Sequence, residues 1–369
     1  MASSAQEHQS LSTTYGTTTA PPPTPSIQPT CLSSSDAVDA LSRLLHKLPP
    51  SLSLPPRLLP RTISPPIISF SPQNPNFLHP HLSSFSQLGF FQLINHPITS
   101  QLANSAESDS VSLFNLSKTQ KQQTFSKTWP VGYDDGEDTC VEEGGSESFC
   151  FESSSSTELT ESTHLSISSL HEFTRELEKL GLEIIEALSW AMGFDKALKE
   201  KGTRFSSLMW VSEGVMGNNN KQSGRFYPYI VSLQYQIKCI KYSLLTDSGW
   251  VSVSPQVDSV LVTVGDIAQV WSNGSLKKVR GRPVAISGDK DNSRCITMSL
   301  LVTLPTDTAI TISPFLPATS RQDDGDVDQA AEEEKSVFDT FTFEDYSWRV
   351  YNERFLFKDP LDRHRVQSK

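Results

Sequence analysis

Val257-Asp258-Ser259-Val260-Leu261-Val262-Thr263-Val264 is a run dominated by β-branched residues, and Gly265-Asp266 follows it at once. Such a run reads as a buried strand. Working outward, Phe226 to Ile230, Leu233 to Leu244, Trp250 to Val253, Lys277 to Ile286 and Cys295 to Leu304 share its composition, and Asp247-Ser248-Gly249 and Ser272-Asn273-Gly274 supply turns between them. Short strands at even spacing predict a sandwich or jelly roll.

The residues upstream read differently. From about Ser166 to Met192, Leu170, Phe173, Leu177, Leu180, Ile184, Leu188 and Trp190 follow a period near 3.6, which predicts a helix closed by Gly193. Short β-like runs at Pro65 to Phe70 and Phe90 to Asn95 precede it, and one more is expected near Phe149 to Phe151. A last helix is expected over about Thr342 to Phe355. Helices first and an antiparallel sheet second make the fold class α+β.

Three regions follow. Residues 1–61 form a Ser/Thr/Pro-rich leader expected to be disordered, with one helical spacing from Val38 to Leu48. Residues 62–223 are read as a helical region with an acidic loop near 128–163, and 224–366 as the sheet and final helix with an acidic loop near 318–336.

The acidity is local. Asp134 to Glu147 and Asp323 to Glu334 carry seven acids each and no Lys or Arg, together more than the whole net charge of −11. This balance argues against a nucleic-acid partner. Five scattered cysteines without a C-x-x-C pair point to a reducing compartment, and no apolar run reaches membrane-spanning length. A cytoplasmic protein is expected, with the nucleus as the alternative, because Lys277-Lys278-Val279-Arg280 matches a short import pattern. A solvated strand face is the simpler reading of those charges. Phosphate-cradling, nucleotide-fold and nucleophile-elbow motifs are absent.

Leu88-Gly89-Phe90-Phe91-Gln92-Leu93-Ile94-Asn95-His96 resembles the N-terminal signature of the plant iron(II)/2-oxoglutarate-dependent dioxygenases. Further matches fall in family order at Arg225-Phe226-Tyr227-Pro228, Gly249 to Val253, Val264-Gly265-Asp266 and Trp271-Ser272-Asn273-Gly274. Phe357-Lys358-Asp359-Pro360-Leu361-Asp362 looks like the tail of the gibberellin-oxidase branch. The resemblance covers about residues 62–366. It implies a double-stranded β-helix, or jelly roll, cupping one Fe(II) held by two His and one carboxylate, with an Arg pairing the far carboxylate of 2-oxoglutarate.

Those ligands are where the chain departs from the family. The histidines are His8, His46, His79, His81, His96, His164, His171 and His364, so none lies between Glu172 and Arg363. Leu244-Leu245-Thr246-Asp247-Ser248-Gly249 can be aligned with the family's H-T-D-S-G, leaving Leu245 for the His and Asp247 as the carboxylate. It can also be a turn before the next strand, in which case the ligand segment is deleted and the β-helix shortened. Gly281 stands at the distal His position on either alignment. Arg294 sits where the 2-oxoglutarate Arg belongs, as a vestige, although Ile296 occupies the accompanying Ser position unless an insertion brings in Thr297. His79 with His81, and His96, are the residual imidazoles near the barrel. No bound cofactor is therefore expected. The resemblance points to a protein without catalysis that binds a small apolar acid or another protein, the alternative being an active oxidoreductase with an unconventional metal site.

Overall fold

The computed structural model describes residues 61–135, 147–154, 166–215, 226–286, 294–306, 309–315, 336–353 and 359–366. All of these belong to the unit Leu54–Lys369. The leader expected over 1–61 lies outside the described residues up to Pro60, and so do most of both acidic runs.

Strands β1 (Arg61–Thr62), β2 (Ile67–Ser69), β3 (Phe90–Ile94), β4 (Gly132–Asp134), β5 (Ser148–Glu152) and β6 (Ser206–Val215) precede the predicted sheet. It continues with β7 (Val231–Tyr235), β8 (Lys241–Thr246), β9 (Gly249–Val253), β10 (Val260–Val264), β11 (Val279–Ile286) and β12 (Arg294–Thr303). A small pair, β13 (Thr311–Ile312) with β14 (Phe341–Thr342), closes the set. The large sheet runs β2-β3-β10-β7-β12-β6-β5-β4 and the small one β1-β9-β8-β11.

Among the described residues, the α-helices of six residues or more are α1 (Ser100–Phe114), α2 (Lys118–Thr124), α3 (Ser168–Met192), α4 (Asp195–Glu200), α5 (Asp266–Trp271) and α6 (Phe343–Glu353). Thr99 caps α1 by accepting from the Leu102 amide, and Ser117 with Gln120 forms a capping box on α2. Gly193 ends α3 with φ of 75°, a left-handed conformation that glycine adopts without strain. The predicted stripe of α3 is buried except for Trp190, which is 42% exposed. The helix lies on the large sheet at Gly181, where an added Cβ would stand 2.7 Å from Val302 Cγ2.

Ile296, Met298 and Leu300 of β12 join the core with the α3 residues, so the alternate positions Cys295, Thr297 and Ser299 face the small sheet. A second, smaller core of Phe90, Tyr242, Leu244, Val251, Val253, Leu261 and Val279 fills the space between the two sheets. This is the jelly-roll interior, called the cup below.

Several expectations need correction. Leu233 to Leu244 is two strands, β7 and β8, and Phe226 to Ile230 is no strand, consistent with a proline at 228 that has no amide to donate. The 62–223 stretch is not helical throughout: β2 to β6 lie in it and all join the large sheet. β6 pairs with β12 over ten residues, yet its small polar residues hid it from the pattern. Jelly rolls are commonly built from eight strands, and β6 to β12 supply seven. From β7 to β12 the chain visits the large sheet, the small sheet twice, then large, small and large again, and it passes from β6 to β7 within the large one. From Asp247 to Trp271, β9, β10 and α5 follow one another without a gap.

His171 on α3 is a core imidazole, with neither ring nitrogen hydrogen-bonded among the described residues. Its ring meets Phe151 edge-on at 5.7 Å. Burial holds its pKa below 6.5, Arg175 lowers it further and Asp109 opposes both. The unfolded chain therefore takes up this proton first as pH falls below 6.5, and stability drops. Replacing His171 by Leu should make the fall in melting temperature between pH 7.5 and 5.5 shallower than in the wild type. A residual slope should remain, because burial also lowers His96 and His364. An unchanged slope would show that His171 is not an acid-sensitive contributor.

Candidate functional site

β11 decides the chemistry of the cup. It pairs with β8 as Val279↔Thr246 and Arg280↔Leu245, then jumps to Val284↔Ser243, so Gly281-Arg282-Pro283 bulges out of register. Gly281 has φ of 70°, which a histidine would adopt only under strain. The Tyr229 hydroxyl lies 2.7 Å from the Val279 carbonyl oxygen and 3.0 Å from that of Gly281, and it also meets Thr263 Oγ1 at 3.1 Å. Burial raises the phenol's pKa well above its ordinary value, so it stays protonated and able to donate.

The bulge turns Arg282 into the cup. Its guanidinium carbon lies 4.0 Å from the centre of the Trp210 ring, and Nη1 donates to Ser212 Oγ at 3.1 Å. Trp210 and Ser212 face the cup because they pair with Ser299 and Thr297. Cys150 pairs with Trp210 and shares that face. Burial lowers the guanidinium pKa to about 10, so it remains charged at neutral pH, and raises the Cys150 thiol to about 12, which leaves it unreactive.

Beside Gly281, Phe226, Tyr227, Asp266, Arg280, Val350 and Pro360 enclose a cavity of about 10 Å³. That holds about one water. Behind it, the ammonium of fully buried Lys278 bonds Asp266 Oδ1 at 2.5 Å and Asp359 Oδ1 at 2.6 Å. Burial alone would pull Lys278 down, but the two carboxylates outweigh it and hold its pKa above the ordinary value. Asp359 is pulled below the usual carboxylate value by Lys278 in spite of burial, whereas burial leaves Asp266 above it. The basic run Lys277 to Arg280 is therefore not the solvated face expected of it. Lys278 is inaccessible as an import signal.

The residues singled out in the sequence do not converge. Leu245 pairs with Trp250 and Arg280 while its neighbour Leu244 is in the inter-sheet core, so Leu245 faces away from the cup. Asp247 sits in the tight turn between β8 and β9, where Oδ2 accepts from Gln269 Nε2 at 2.7 Å. Gly281 alone borders the cavity. Arg294 opens β12 opposite Val215, and its side chain is outside the described residues. His79 and His81 are exposed in a short 3-10 turn, and His96 Nε2 meets the Asp258 carbonyl at 3.1 Å. Sequence reasoning missed Tyr227, Lys278 and Arg282. Tyr227 stood inside a recognised match but carried no ligand signal, and the other two were taken for surface charge.

These donors do not suit the metal that the resemblance implies. The cavity's one carboxylate, Asp266, is engaged by Lys278, and Tyr227 is held protonated by burial. Among the described residues no three His, Cys, Asp or Glu side chains are placed to hold a metal ion. Around Gly281, the described residues bring together no two His with a carboxylate.

The family model described as the N-terminal region of non-haem dioxygenase in morphine synthesis matches residues 65–164, and that of the 2OG-Fe(II) oxygenase superfamily matches 223–300. The chain belongs to the 2OG-Fe(II) oxygenase superfamily. It is 22% identical to gibberellin 2-beta-dioxygenase 1 of Arabidopsis thaliana over 78% of this chain and 89% of that one. It is 26% identical to 1-aminocyclopropane-1-carboxylate oxidase 2 of Doritaenopsis sp. over 74% and 84%. Among solved structures, JOX2 in complex with 2OG, Fe and JA superposes with a TM-score of 0.65 at 18% identity, covering 88% of this chain and 97% of that one. The dioxygenase for auxin oxidation in rice gives 0.59 at 16%, covering 82% and 99%. Both likenesses show the double-stranded β-helix fold of this superfamily member. Gibberellin 2-beta-dioxygenases stand among its relatives beside 1-aminocyclopropane-1-carboxylate oxidases.

Proposed function

We propose that this superfamily member is non-catalytic, akin to the gibberellin-oxidase branch in its tail, and works in the cytoplasm by binding. The observation that carries this is the mouth of the cup at Gly281. The distal ligand position is a glycine in the left-handed backbone region, its carbonyl engages Tyr229, and the adjoining space holds about one water. A small apolar acid needs more room than this space offers in the closed form, which favours another protein as the partner. Iron-free binding of 2-oxoglutarate would also lose metal chelation, which leaves the keto acid little to hold.

Anaerobic titration of the purified protein with Fe(II) and 2-oxoglutarate tests this. Substoichiometric iron and no succinate on admitting oxygen are expected. One iron per chain with succinate release would overturn the proposal and favour the alternative, an oxidoreductase hydroxylating a small apolar metabolite with an unconventional metal site.

A further inference from the structure

We infer that Asp359 to Val366 is a clasp that closes the mouth of the cup and that the buried Lys278–Asp359 ion pair is its lock. The inference rests on the geometry of the closed state and holds whether or not the protein is catalytic.

The clasp covers the right place. Pro360 lines the cavity that Gly281, Tyr227 and Asp266 also border, and Leu361 behind it is fully buried. Its two ends are held by different physics. At the far end, Val366 N donates to the Val337 carbonyl at 3.0 Å, the Asp339 amide donates to the His364 carbonyl at 2.8 Å, and the His364 ring stacks on Phe341 at 4.1 Å. These are backbone and ring contacts that carry no dependence on the cup. At the near end the polar tie to the sheet is Asp359, whose Oδ1 also accepts from the Leu361 amide and so starts the Pro360–His364 turn.

Lys278 makes this tie conditional. It is fully buried on β11, three residues from Gly281, and it is shared between Asp266 of α5 and Asp359 of the clasp. When Asp359 leaves, Lys278 retains Asp266, so the sheet keeps a paired charge while the clasp loses its anchor. The far end then serves as the hinge. Swinging the near end out removes Pro360 from the cavity wall and opens a path toward the cup face that carries Trp210, Ser212 and Cys150. Trp210 Nε1 is buried on that face without a hydrogen-bond partner among the described residues, a donor that water or a ligand entering the opened cup would satisfy.

Asp359→Ala is the test, with Asp362→Ala as control. Asp362 lies on the same clasp but makes an exposed pair with Arg365. Amide hydrogen exchange should accelerate at least tenfold at 360–364 in D359A and stay unchanged in D362A, with β6 and β12 as protected as in the wild type. The second readout is alkylation of Cys150, which is 2% exposed, followed by peptide mapping at mildly alkaline pH. It should also speed up at least tenfold in D359A. Exchange at 360–364 equal to wild type would overturn the lock. Faster exchange there with Cys150 still protected would overturn gating of the cup. A uniform loss of protection through β6 and β12 would show that the pair supports the whole fold and is no clasp.

Discussion

Replacing Lys278 by Ala is expected to lower the unfolding free energy by about 3–5 kcal/mol, the cost of leaving a buried charge without its partner. Two carboxylates depend on this ammonium, and Asp266 is only 8% exposed. In the variant, burial would push Asp266 further above its ordinary value of 3.8. A carboxyl raised in the folded state destabilises at pH values above the unfolded value, so the deficit should be largest at neutral pH and should narrow as pH falls toward 3.8. The wild type narrows the gap from the other side, since the depressed Asp359 gives up its stabilising contribution on acidification. Urea unfolding at several pH values measures both effects. Combining Lys278→Met with Asp266→Asn and Asp359→Asn should recover most of the loss, because a neutral cluster of similar volume leaves no unpaired charge. A single-variant loss under about 1 kcal/mol, the range of exposed pairs, would show that water reaches the cluster.

This cluster marks the limit of what the sequence conveys. The run Val260 to Val264 gives β10 because its residues are buried on both faces, and α3 is legible because its stripe is long and periodic. Asp247-Ser248-Gly249 is legible as a turn, and the missing histidines are legible as an inventory. Lys278 is not, since its partners stand 12 and 81 residues away and nothing local distinguishes it from an exposed lysine. Arg282 is hidden for a different reason. Strict alternation puts it on one face with Lys278 and Arg280, and only the bulge at Gly281 reverses its direction. β6 escaped because Ser206, Ser207 and Ser212 interrupt its apolar residues, although those serines are harmless in a strand whose ladder runs unbroken against β12.

Gly265→Ala is expected to cost about 3 kcal/mol, at the upper end for overpacking. The residue lies inside a family match, yet its importance here is steric. An added Cβ would stand 2.1 Å from the Tyr229 carbonyl oxygen and 2.5 Å from Tyr229 Cδ2, and backbone cannot yield as a side-chain tip can. Its φ of −104° suits any residue, so backbone strain plays no part and the effect isolates close approach. The displaced Tyr229 is the residue whose hydroxyl meets the carbonyls of Val279 and Gly281. The damage should therefore travel to the β11 bulge, with faster hydrogen exchange around Gly281 and Arg282 while α3 stays protected. Tyr229→Phe should reproduce that local signature at about 1–3 kcal/mol, by leaving buried carbonyls short of a donor without moving Gly265. If G265A unfolds within about 0.5 kcal/mol of the wild type, as a neutral surface change does, Tyr229 has room to retreat and cannot be what fixes the bulge. If it costs the expected amount but leaves Gly281 protected, the bulge is set by β8 pairing instead. The filled mouth of the cup would then be a property of the sheet edge rather than of the Tyr229 strut.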